Sequence, residues 1–361
     1  MSAAEWRNAM NAGSGRLAMG KAVERRPAVQ AAAEPWQNPI RARHLLVLIF
    51  LLAFPVFATP FITYQIGAQA LAFGLIALSL TFLGGYGGMI SLAQMTVAGI
   101  AGYMVAIFGM SGEAALSLGW SWWIAVPIAI VVAVIAAIGI GWLSARTEGI
   151  YTIMITLAIG VAFYSLCLQN YSVFNGFQGF QRVYAPTVLG INFREQTPFY
   201  YLVLTCALGG YLLVKYLLRA PFGVVLQGIR DNPRRMNALG FHVTAHRVAA
   251  YAVAGFIAAI GGVLLVWYNG LITPNSVGTS WVINVLVMAV LGGMRHPIGP
   301  FIGAVVFVLL QTFAIDLFDR ERFNLVIGCV FLAIVLFSPD GLLGIWAAWK
   351  RKFLNPRGGI R

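Results

Sequence analysis

Charge is what this chain has least of. Asp, Glu, Lys and Arg make up 10% of its 361 residues, against about 25% in a soluble globular domain. Cysteine is nearly absent as well. Cys167, Cys206 and Cys329 each lie inside an apolar run, where they read as small hydrophobes and exclude a disulfide or metal framework. No G-x-x-x-x-G-K-[ST] segment occurs, so the chain is not expected to hydrolyse ATP. No acidic pair and no Ser/His/Asp set stands in a cleft-like context, which argues against an enzyme. His242 and His246 have the i, i+4 spacing of a metal pair, but no third ligand accompanies them.

What fills the chain instead is apolar. Hydrophobic residues account for 60% and the mean hydropathy is +0.82. Charge-free runs of about eighteen residues recur, each long enough to cross a hydrocarbon layer of about 30 Å. Their periodicity is not strand-like, so helices must satisfy the backbone in lipid. The 40 glycines suit close approach of helices there. The expected fold is an all-α polytopic membrane protein with ten spans, near 44–59, 63–84, 91–110, 122–144, 150–169, 199–218, 248–268, 281–294, 298–315 and 324–346. The eighth is short for a full crossing. Residues 1–42 read as a flexible cytoplasmic tail without a signal-peptide pattern, 43–347 as the transmembrane domain, and 348–361 as a second cytoplasmic tail.

Basic residues outnumber acidic ones by 24 to 11, for a net charge of +13. Nucleic acid is not implied, because the basic residues gather at span ends. With the N-terminus inside, only Arg182, Arg194, Arg320 and Arg322 fall outside, and the other twenty cations face the cytoplasm. The positive-inside rule therefore favours ten spans with both termini cytoplasmic. No ionisable residue lies mid-span, although Lys215 and Asp340 approach the inner ends of theirs. Proton- and sodium-driven transporters keep such residues in the membrane at a cost. A pump built from neutral spans must draw its energy from a partner. The polar groups within or beside spans are Gln65, Ser91, Gln94, Thr96, Asn170, Asn284 and Gln311.

One stretch breaks the apolar pattern: Gly228 to Gly240, GIRDNPRRMNALG. Asp231 and Asn232 before Pro233 make a helix start, and Gly240 makes a stop. A helix of about two turns is expected over 233–239, with Arg234 and Arg235 at its start and Met236 and Leu239 on one face. Ahead of it, Pro221 opens a helix with Phe222, Val225, Leu226 and Ile229 on one face. A helix this short is marginal alone in water. It is either an amphipathic connector at the membrane surface or a docking helix for a cytoplasmic motor.

The run from Ala220 through Arg230, Asp231, Asn232 and Pro233 to Leu239 and Gly240 resembles the cytoplasmic loop of ABC permeases for branched-chain amino acids, closest to the LivM-type subunit. Three further segments resemble that family: Gly85-Tyr86-Gly87-Gly88 through Ser91 and Gln94, Arg146 to Tyr151, and Val290-Leu291-Gly292-Gly293 with Gly299-Pro300 and Gly303. The resemblance implies that 220–240 is a coupling region facing the ATPases, with Arg230, Asp231, Asn232, Pro233, Arg234, Arg235, Leu239 and Gly240 as contact residues. Met236 and Leu239 would fill an apolar groove there. It further implies a homologous second permease, two cytoplasmic ATPases that bind ATP and Mg, an external solute-binding protein, and an inner-membrane location. This chain itself would hold no cofactor.

Two departures bear on the substrate. The family's outer Thr-Gly-Gly-type loop reads Phe174-Asn175-Gly176-Phe177-Gln178-Gly179 here, and Asn284 stands where Glu is frequent. Branched-chain amino acids are the first expectation, with urea or a short amide next. A passive channel for a small neutral solute is the rival class, but it has no need of a capped docking helix. Tyr86, Ser91, Gln94, Asn284, Gly292 and Gly293 are the candidates for the pathway. For Gln94 and Asn284 the other reading is interhelical hydrogen bonding, worth about 0.6 kcal/mol. For the paired glycines it is a tight turn at the membrane surface.

Overall fold

A computed structural model of the chain describes residues 42–113, 116–188, 190–317, 328, 332 and 341–344. Its helices are α1 (Ala42–Phe57), α2 (Pro60–Tyr86), α3 (Gln94–Phe108), α4 (Trp122–Ser144), α5 (Ile150–Gln169), α6 (Gln196–Arg219), α7 (Pro221–Asp231), α8 (Pro233–Ala238), α9 (Val243–Asn269), α10 (Thr279–Gly292) and α11 (Gly299–Leu317). Four two-residue strands, β1 (Phe180–Gln181), β2 (Thr187–Val188), β3 (Ile191–Asn192) and β4 (Leu271–Ile272), form antiparallel pairs β1–β4 and β2–β3. The molecule is an all-α polytopic membrane protein. Among the described residues six helices are long and apolar enough to cross a membrane: α2, α4, α5, α6, α9 and α10 with its preceding turn from Pro274. α3 and α11 are shorter apolar helices. The expected tenth span, 324–346, and both tails lie outside the described residues apart from isolated positions.

α2 sits at the centre. Every residue from Ala70 to Thr81 is buried, as expected of a helix that is apolar on all sides. It packs against α6, α9, α10 and α11. Its ends widen into π-helical turns over Thr63–Ala68 and Phe82–Tyr86, features that frequently mark functional sites. α9 is the second central element and lies against α2, α3 and α4.

Close approach is what holds these helices together, since lipid supplies no hydrophobic drive for helix to meet helix. On α4, Ala125, Ala129, Ala133 and Ala137 recur every fourth residue and are all buried. A Cβ on Gly255 of α9 would run into Ala137, and one on Gly262 into the Ala98 backbone of α3. The opposite face of α4 exposes Trp123, Val131, Ile135 and Trp142, a lipid-facing stripe.

Candidate functional site

The arginine-rich end of the bundle is built around α7 and α8. Leu226 and Ile229 are buried, and Phe222 and Val225 half-buried, so the apolar face expected of α7 is the one laid against α6 and α9. Asn232, in extended conformation, breaks the chain; its Oδ1 accepts from the Arg235 N–H at 2.9 Å and caps α8. Pro233 occupies the first helical position, where no donor is lost. Gly240, at φ 90°, closes the other end, with its N–H on Asn237 O at 3.0 Å and the Phe241 N–H on Met236 O at 3.1 Å. α8 is one residue shorter than the spacing predicts. Asp231, Arg234, Arg235 and Leu239 are exposed, Leu239 to 64%.

Met236 is half-buried. A Cβ on Gly228 would meet its sulfur at 2.8 Å, so the thioether ties α8 back onto α7. Arg230 also turns inward. Its Nη1 donates to Gly85 O at 2.8 Å and its Nε to Asp231 Oδ1 at 3.0 Å.

Three loops interlock beneath α7. Tyr86 is buried and its hydroxyl donates to Arg295 O at 3.0 Å. Gly85 abuts the Met294 backbone. Gly292 and Gly293, at the end of α10, are buried, and Gly292 meets Gly299 of α11 backbone to backbone. Alongside, Arg247 of α9 pairs with Glu148 at 3.2 Å and donates to Ala145 O at 3.2 Å. The paired glycines are thus close-packed turns at this end.

A cavity of about 340 Å³ opens toward the opposite end, among α2, α3, α9, α10 and α11. That is near the low end of the range of about 300–1,000 Å³ for ligand sites. Phe73 of α2 stacks on Trp281 of α10 with ring centroids 5.1 Å apart and planes 10° from parallel. Gln69, Asn269, Ser276 and Gln311 add neutral polar groups, and among the described residues no charged one lines it. One wall is non-helical: β4 and the turn Pro274–Val277, closed by a capping box between Thr273 and Ser276. Irregular backbone at membrane depth is tolerated where it is buried in protein or lines a cavity. Near this end, α2 and α9 are joined by Tyr64 OH to Tyr268 O at 2.8 Å and Tyr268 OH to Gln65 Oε1 at 2.9 Å. The aromatic loop anticipated as a departure lies here too. Asn175 takes a left-handed conformation and its Nδ2 donates to Gly179 O at 2.7 Å, which sets β1 beside β4.

None of the six expected pathway residues lines this cavity. Tyr86, Gly292 and Gly293 belong to the interlocked loops. Ser91 is buried in the turn before α3 and accepts from the Ala93 N–H at 3.4 Å. Gln94 is 1% exposed; its Oε1 accepts from the Ser79 hydroxyl at 3.1 Å, while its Nε2 has no partner. Asn284 is half-buried, one turn beyond Trp281. Gln69, Phe73, Asn269, Ser276 and Trp281 were not singled out by sequence, and Gln311 only as one polar residue in a span. The signal that marks them is their convergence at one depth on five separated segments, which a single chain does not display.

The pattern of the branched-chain amino acid transport system / permease component family matches residues 62–335. The permease protein LivM of a high-affinity branched-chain amino acid transport system in Salmonella typhimurium is 24% identical over 324 residues, 82% of this chain and 74% of the relative. A probable branched-chain amino acid transport permease LivM from Methanocaldococcus jannaschii is 27% identical over 219 residues, 55% and 61% of the two chains. The probable LivH permease of the same organism is 26% identical over 160 residues, 42% and 49%. No solved structure matches. Carrying the family's pattern over most of its length on a bundle of apolar helices, the chain belongs to the permease components of branched-chain amino acid transport systems.

Proposed function

We propose that this chain is one of two homologous permease subunits of an ATP-driven importer for branched-chain amino acids in the inner membrane. An external binding protein delivers the solute, and two cytoplasmic ATPases bind ATP and Mg. The arginine-rich end faces the cytoplasm, as do both termini. The observation that carries this reading is α8, a short exposed helix capped at both ends beside loops that lead to the helices of a neutral cavity. A passive channel gives no reason for such a helix.

In this reading the chain's own part runs through its contacts. Closure of the ATPases moves α8, and Met236 carries α7 with it. Arg230 passes the displacement to Gly85 at the end of α2, and Tyr86 to Arg295 at the start of the α10–α11 turn. α2 and α10 bear Phe73 and Trp281 at the cavity, so movement of their inner ends alters its walls. No described lining residue is ionisable, which accords with ATP as the driving source.

Reconstitution tests the reading. The chain with its second permease, the ATPases and the binding protein, in proteoliposomes, should take up leucine only with ATP. Leucine flux through the chain alone at channel-like rates would refute it.

A further inference from the structure

Gln311 sits on α11 at the cavity, and its Oε1 is buried without a hydrogen-bond partner. Its polar companions among the described residues are Ser, Asn and Gln, none with a formal charge. A buried acceptor lacking a donor is costly, and such orphans call for a reason. The terminal torsion of a glutamine is soft, so this amide can turn between its wall and the cavity. The stacked Phe73 and Trp281 supply a flat apolar surface on another side.

Resting on the importer reading above, we propose that this cavity is the solute subsite of the permease. The aliphatic side chain of a zwitterionic amino acid lies against the Phe73–Trp281 stack, and its ammonium donates to Gln311 Oε1. The amide groups of Gln69 and Asn269 are the donors available to its carboxylate. The neutral lining sets the class of solute. A net charge would shed its hydration with no countercharge to meet it, whereas a zwitterion brings adjacent opposite charges that neutral dipoles can serve. Cationic and anionic amino acids are excluded on the same ground.

The test compares Gln311→Leu and Gln311→Glu in the complete reconstituted complex, with leucine as the probe. Leu keeps the bulk and removes the acceptor; Glu keeps an acceptor and adds a charge. If Gln311 only packs, Leu is the better tolerated. If it accepts from an ammonium, Gln311→Leu lowers ATP-driven leucine uptake about tenfold, the loss of one charge-assisted hydrogen bond, and Gln311→Glu retains more uptake than Leu. A second measurement does not depend on those variants folding. Gln311→Cys, in a chain with Cys167, Cys206 and Cys329 replaced by Ala, should react with a small thiol reagent more slowly when leucine is present. Wild-type uptake by Gln311→Leu, or lower uptake by Glu than by Leu, or labelling indifferent to leucine, overturns the subsite while wild-type transport leaves the importer standing. A wild-type complex without ATP-driven leucine uptake overturns both.

Discussion

Arg230 Nη1 lies 2.8 Å from Gly85 O, and this contact joins the segment before α8 to the end of the central helix. The stem of Arg230 also covers Gly88, where an added Cβ would meet Arg230 Cγ at 2.7 Å. A positive φ of 68° at Gly88 brings the loop under the arginine. The result is a continuous line of contacts from an exposed helix to a helix that reaches the cavity.

Arg230→Ala should uncouple the two. A hydrogen bond from a charged group contributes about 1.5–3 kcal/mol, so transport per ATP hydrolysed should fall about tenfold while assembly with the ATPases persists. Arg230→Lys should recover part of it, since a single ammonium replaces a guanidinium that serves two acceptors. Uptake and phosphate release measured on the same proteoliposomes check this. Equal transport per ATP in wild type and Arg230→Ala would show the contact to be idle.

Leu239→Asp should leave folding untouched and abolish co-purification with the ATPases. Leu239 is already exposed, so the change removes no internal contact. Gly240→Val tests the cap. An added Cβ meets nothing within 4 Å, but the φ of 90° resists a β-branched residue, so the strain is confined to the backbone and the last turn of α8 should fray. Wild-type assembly by Leu239→Asp would reduce α8 to a connector.

Gly262→Val should destabilise the bundle. Its side chain would strike the Ala98 backbone of α3, which cannot move aside as a flexible side chain can. Overpacking costs about 1–3 kcal/mol and occasionally more, to be read as a lower thermal unfolding temperature in detergent. Gly139→Val on α4, with open space around it, is the control and should unfold near the wild-type temperature.

A reporter after Arg361 should read cytoplasmic and one within 170–198 external. The 170–198 segment carries Arg182 and Arg194, while the opposite end gathers Arg146, Arg230, Arg234, Arg235, Arg247 and Arg295. The positive-inside rule orients the chain from that contrast. An external C-terminus would invalidate the ten-span arrangement.

Where spans begin and end was readable from hydropathy and breakers. The runs 122–144 and 150–169 coincide with α4 and α5, and Asn232, Pro233 and Gly240 bound α8 within one residue. Such signals are local: apolar length decides a span, and a cap is settled within four residues. Membership of the permease family was readable for a related reason, since its motifs are short segments held in order along the chain. The uncharged spans, too, are a property of composition, and they pointed away from an ion-driven pump.

What the tertiary structure decided is which side chains meet. Met236, expected at a partner's groove, also packs its sulfur against Gly228 of α7. Arg230, expected as an ATPase contact, also donates to Gly85 O, 145 positions away in sequence. Tyr86, Gly292 and Gly293 were expected at the pathway; the Tyr86 bond to Arg295 O and the backbone contact of Gly292 with Gly299 set them among packed loops away from the cavity. Nor did any local pattern pair Phe73 with Trp281 or bring Gln69 to the cavity of Gln311. Helix formation depends on neighbours three or four residues away. A cavity depends on how five segments, up to 242 positions apart between Gln69 and Gln311, are spaced by the small residues at their interfaces, and that spacing exists only once the bundle has assembled.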